Sequence, residues 1–125
     1  MHGHVTNIEM DTLENEDFRR VLFTGPNTQL VLMTLAPGED IGLETHDGHD
    51  QFIRVEAGSG MVLLDGEESD LEDGFSVVIP AGVEHNVVNT SDDEPLRLYT
   101  LYSPPEHPDG TVHRTKKEAE TAERH

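Results

Sequence analysis

From Phe18 onward, apolar and polar residues alternate over short runs, and each run stops at a glycine or a turn dipeptide. A period of two with such punctuation predicts β-strands. The runs are 19–24, closed by Gly25-Pro26-Asn27; 29–36, closed by Pro37-Gly38; 41–46, closed by Asp47-Gly48; and 51–56, closed by Gly58-Ser59-Gly60. Runs 61–65 and 67–71 meet at Asp65-Gly66, a strong hairpin signal. Asp73-Gly74 leads into 75–79, Pro80-Ala81-Gly82 leads into 84–89, and 96–103 completes the series. About nine short strands at even spacing predict an all-β sandwich or barrel. Periodicity does not choose between the two.

The flanks read differently. Residues 1–17 have little apolar periodicity and are expected to form an irregular N-terminal arm, with His2 and His4 at a frayed end. Residues 18–103 form the barrel, and 104–125 form a C-terminal arm with a short helix. That helix is expected over 115–124, rich in Lys, Glu and Ala, with Thr115 as its cap and no apolar stripe. The proline-rich stretch from Pro104 to His113 is expected to fold over the barrel mouth or onto a partner subunit, with surface roles for His107 and His113. The length suits one domain with a modest core.

Charge changes the picture most. The formal net charge is −18, and Lys116 and Lys117 are the only lysines among 8 basic residues. A nucleic-acid partner is excluded on this reading, because like charges repel and no basic patch is present. The acid is dispersed rather than confined to a tail, and Lys is nearly absent. That pattern points to a halophile's protein, in which concentrated salt screens self-repulsion. No run approaches a membrane span, and the start does not resemble a signal peptide. With 0 cysteines there are no disulfides, thiolate zinc sites or Cys nucleophiles. A cytoplasmic address fits. Strands with apolar residues on both faces (Val77, Val78, Ile79; Val87, Val88) point to a homodimer.

Two stretches interlock as one site pattern. The first reads Gly38, five residues, Glu44-Thr45-His46, four residues, Gln51, six residues, Gly58. The second reads Gly74, five residues, Pro80-Ala81-Gly82, two residues, His85, three residues, Asn89. These spacings resemble the paired motifs of the cupin family, in particular the small single-domain cupins often labelled mannose-6-phosphate isomerase-like. The family's first motif carries His-x-His and then Glu; here Glu44 stands at its first ligand position and Gln51 at its third. The carboxylate has changed place, and the total ligand charge is kept. The resemblance implies a double-stranded β-helix, the cupin jelly-roll barrel. It also implies a metal held by Glu44, His46, Gln51 and His85.

Strand parity supports that set without the family. Glu44 and His46 are two residues apart and share a face. If Gln51 faces inward, so do Ile53 and Val55, while Phe52, Arg54 and Glu56 face outward. His85, Val87 and Asn89 share one face of a later strand. Two imidazoles and a carboxylate suit a divalent transition metal: iron, manganese, nickel, cobalt or zinc. Gln51 adds a weak amide oxygen. His49 is the rival ligand; parity points it away from His46, and a turn at Asp47-Gly48 would swing it inward. Asp50 reads as a turn residue, and Tyr99 and Tyr102 as packing.

The functional expectation is a metal-dependent enzyme acting on a small molecule, of oxygenase or isomerase type. The alternative is a non-catalytic small-molecule binder or sensor with a metal-free pocket. A shared fold does not by itself assign a chemistry.

Overall fold

A computed structural model describes residues 2–123. The chain forms a cupin jelly-roll barrel of two antiparallel sheets. Its strands are β1 (Arg19–Thr24), β2 (Gln29–Leu35), β3 (Asp50–Ala57), β4 (Ser59–Leu64), β5 (Glu67–Glu72), β6 (Ser76–Ile79), β7 (His85–Asn89), β8 (Leu96–Ser103) and β9 (Val112–His113). The larger sheet has the order β6-β3-β8-β2-β1-β9 and the smaller β5-β4-β7. Where strands were expected and formed, their ends lie within two residues of the turn signals in the sequence.

Alternation places the core. Inward residues of β2, β3, β7 and β8, such as Val31, Met33, Ile53, Val87 and Leu98, are at most 1 % exposed. Each buried aliphatic of this size contributes roughly 1.5–3 kcal/mol of hydrophobic stabilisation. Asn89 is a buried polar hub: its Nδ2 donates to Leu35 O, Ala36 O and Glu94 O, and its Oδ1 accepts from Ser91 N.

Five expectations are corrected. The N-terminal arm is not irregular throughout, because Ile8–Glu14 form helix α1, capped by Asn7, whose side chain accepts from Met10 N. No apolar stripe holds it. Polar contacts tie its C-terminal end down instead: Asn15 Nδ2 donates to Thr34 Oγ1, and Thr34 Oγ1 and Arg97 Nη1 donate to Asn15 O.

Residues 41–46 are not a strand. They touch β7 only through the isolated bridges Asp40↔Val88 and Glu44↔His85. Gly42, at φ +115°, breaks the extended run, and its N–H donates to the Asn86 side chain instead of a backbone carbonyl.

Glu56 is buried rather than outward, because a register shift between Val55 and Ala57 interrupts the alternation of β3. Arg54 lies 3.3 Å from its carboxylate.

The C-terminal arm contains β9, which pairs with β1 through Arg19↔His113 and Arg20↔Val112. The helix α2 (Lys116–Glu123) follows, and Thr115 Oγ1 accepts from Glu118 N as its cap. Arg124, the expected last residue of that helix, lies outside the described residues. Its Ala119 is 3 % exposed, so the helix is docked rather than loosely held.

The fifth correction concerns His107, whose expected surface role does not survive. It is half-buried, and its Nε2 is buried within the structure.

Candidate metal centre

The site is built where residues 40–46 run beside β7. Glu44 N donates to His85 O and His85 N donates to Glu44 O, both at 2.9 Å, which locks the two residues side by side. Gly82 N donates to His46 O, tying the same segment to the Pro80-Ala81-Gly82 turn. Asp50 holds that turn from below, its Oδ1 accepting from Ala81 N. One ligand atom from each of Glu44, His46 and His85 lies within 4.8 Å of the other two. The His46 and His85 rings are 5.2 Å apart between centroids.

The free lone pairs are set by what the other nitrogens do. His85 Nδ1 is 2.9 Å from Val83 O, so Nδ1 carries the proton and Nε2 is left with its lone pair. His46 Nδ1 faces the Glu106 carboxylate at 3.6 Å. His46 Nε2 lies 2.8 Å from Glu44 Oε2 yet makes no directed hydrogen bond. Gln51 is 4 % exposed; its Nε2 donates to Thr100 Oγ1, and its Oε1 is buried without a hydrogen bond. An orphaned buried oxygen is costly unless something else satisfies it. Gln51 is opposite Tyr102 in register, and the Tyr102 ring meets His46 edge-on at 6.0 Å. This donor set, two imidazoles with a carboxylate and an orphan amide oxygen, fits a divalent transition metal.

Electrostatics agree with a site made for positive charge. Burial pushes the Glu44 carboxyl up, but the hydrogen bond and charge of His46, helped by Arg19 and His85, bring it below the usual carboxylate range. The Glu44 hydrogen bond raises His46, against burial, with Glu106 adding to the rise. In the metal-free protein a proton on His46 therefore stands where a metal would.

His49 is drawn elsewhere. Its Nδ1 donates to Pro104 O at 2.7 Å, and its Nε2 lies 2.8 Å from Glu106 Oε2. Both nitrogens thus serve the C-terminal arm. That arm roofs a cleft of about 740 Å³ whose walls include Arg19, Ile41, Glu44, His46, Glu106 and His107. Tyr102 packs edge-on against both His46 and His107, whereas Tyr99 tilts onto Phe52 on the outer face. Burial, then the charge of Arg19, lowers His107 to about 3, so it is a neutral imidazole.

Sequence reasoning missed Arg19, Glu106 and Gln29 as parts of this region. A basic residue at 2 % exposure and a glutamine at 0 % carry no local signal. The proline-rich run before His113 was the only hint of a roof.

Residues 31–102 match the Cupin_2 family, a cupin domain. The chain is 47 % identical to the uncharacterized protein YrkC of Bacillus subtilis over 95 % of its length and 67 % of the relative's. It is 45 % identical to the uncharacterized protein L612 of Acanthamoeba polyphaga mimivirus, over 87 % of this chain and 70 % of that one. The crystal structure of BH2720 from Bacillus halodurans superposes with a TM-score of 0.93 at 46 % identity, covering 96 % of this chain and 97 % of that chain.

Proposed function

The chain belongs to the cupin-domain family, and on that premise we propose that it is a metal-dependent enzyme acting on a small molecule, with Glu44, His46 and His85 as the metal ligands and Gln51 as a weak fourth. The observation that carries this reading is the convergence of three ligand atoms within 4.8 Å. The orphaned Gln51 oxygen supports it. A bound divalent metal supplies a Lewis acid with a position open to a ligand, the chemistry that oxygenases and isomerases of this kind share. The protein's part is to hold the donors. Val83 O fixes the His85 tautomer, Glu106 stands behind His46, and Thr100 orients the Gln51 amide. Elemental analysis of protein purified without chelator is expected to find one transition metal per chain. Metal-free protein that takes up none on addition would favour the non-catalytic binder.

We also propose a homodimer that retains the high-salt adaptation written in the composition. Register places Val78, Phe52, Leu101, Leu30 and Phe23 in one row across the outer face of the larger sheet. All five are at least partly exposed, Val78 at 65 %, and β6 is an edge strand of that sheet. A contiguous apolar row of this kind is a natural self-association surface. Light scattering and thermal melting from low to molar KCl test both points. Two chains per particle and a melting temperature that climbs with KCl are expected. A monomer at all concentrations removes the dimer, and a flat melting temperature removes the salt adaptation. Among the described residues, no helix is long and apolar enough to cross a membrane.

A further inference from the structure

The roof of the cleft is held by a device outside the metal set. Gln29, fully buried in β2, spends its whole amide on the arm and its neighbour. Its Nε2 donates to His107 O at 2.7 Å and to Thr24 Oγ1 at 3.0 Å. Its Oε1 accepts from Glu106 N at 3.1 Å and His107 N at 3.0 Å. Four bonds satisfy the whole inventory of a glutamine side chain. The backbone of residues 106–107 is therefore pinned by the barrel, and the His107 side chain is placed by the fold rather than by chance.

That side chain has work left to do. His107 lines the same cleft as Glu44 and His46, and its buried Nε2 makes no hydrogen bond. The Tyr102 ring, edge-on to both histidines at 5.1 and 6.0 Å, fixes the spacing between His107 and the metal position. Arg19, 2 % exposed and held by the β1–β9 pairing, forms the wall beside them. Its positive charge acts on Glu44, His46 and His107 alike. The acidic groups of the cleft are balanced locally, since Glu44 meets His46 and Glu106 meets His49 and His46, while Glu120 is exposed on α2. Ile41 gives the cleft an apolar flank.

We propose that this cleft binds a small carboxylic acid bearing a second oxygen function, with its carboxylate on His107 Nε2 beside Arg19 and its second oxygen at the point shared by Glu44, His46 and His85. The inference rests on the metal reading for the second anchor. His107, as an uncharged imidazole in its Nε2–H form, donates to the carboxylate, and the neighbouring guanidinium favours an anion over a neutral amide. A short aliphatic chain between the two oxygen groups lies along the apolar flank.

The test uses cobalt-loaded protein and isothermal titration calorimetry at constant ionic strength. The probes are glycolate, lactate and malate, with glycolamide and lactamide as neutral counterparts. At least one acid is expected to bind, with its amide weaker by about tenfold, the loss of a charge-assisted hydrogen bond. His107→Ala is expected to weaken that acid by about tenfold as well, with cobalt stoichiometry unchanged. Wild-type protein that takes up no cobalt sinks the metal reading and this inference with it. Cobalt uptake with no acid bound, with amides bound equally well, or with His107→Ala binding acid like wild type, sinks this inference alone. The acid–amide comparison on wild type decides the matter even if the variant fails to fold.

Discussion

Alanine at His46 or at His85 is expected to abolish stoichiometric metal uptake. Each change removes a strong imidazole donor from a set of three that meets within 4.8 Å. Neither loss can be made good by His49, because Pro104 O and Glu106 occupy its two nitrogens. Glu44→Ala removes the only charged member and is expected to weaken uptake severely. Gln51→Ala removes a neutral oxygen that water can replace, so its effect is mild. Glu106→Ala acts from behind His46 and is expected to cost about 10–100-fold in metal affinity, the usual scale for an outer partner of a ligating histidine. His49→Ala leaves the three ligand atoms in place and keeps metal near one per chain. The measurement is metal stoichiometry and affinity of each variant, after circular dichroism confirms the fold. Metal lost from His49→Ala and kept by Glu44→Ala would move the site to a histidine cluster on the Asp47-Gly48 turn.

Gly58→Ala is expected to be the most damaging single methyl in the barrel. A Cβ there would stand 2.5 Å from Pro95 O and 3.0 Å from Leu96 Cα, both backbone atoms that cannot swing aside. The residue also sits at φ +97°, where an L side chain is strained in any case. Overpacking and strain together cost on the order of 3 kcal/mol or more. Gly38 provides the control, because it shares a positive φ, +76°, but a Cβ there meets nothing within 4 Å. Gly38→Ala is expected to cost only the conformational part, about 1–2 kcal/mol. Urea unfolding midpoints separate the two, and equal losses would show that close approach at Gly58 contributes nothing.

The regular parts of the barrel were readable because their signals are local. Turn dipeptides such as Asp65-Gly66 mark strand ends without reference to anything distant, and Asp65 does adopt φ +47° beside Gly66 at +84°. Parity along β7 foretold the burial of His85, Val87 and Asn89, at 5, 1 and 1 %. Parity in β3 held for Gln51, Ile53 and Val55 and failed at Glu56, where a bulge adds a residue that no period of two can foresee. The segment 41–46 looked like a strand because its apolar spacing is right, and Gly42 hides the break. What was least legible depends on long-range polar contacts. Helix α1 is anchored through Asn15 to residues 34 and 97, and the roof is anchored through Gln29 to residues 106 and 107. A polar residue whose partner lies about eighty positions away has no periodic signature. The same holds for Glu106, whose role follows only from where the arm lands.

An anomalous difference map, collected at the absorption edge of the metal found by elemental analysis, tests the metal centre most directly. The account places one peak about 2.0–2.2 Å from a Glu44 carboxylate oxygen, His46 Nε2 and His85 Nε2, with the Gln51 amide oxygen the next nearest protein donor. A peak bound instead by His49 and Glu106, or a metal-soaked crystal with no peak near His46, would contradict it.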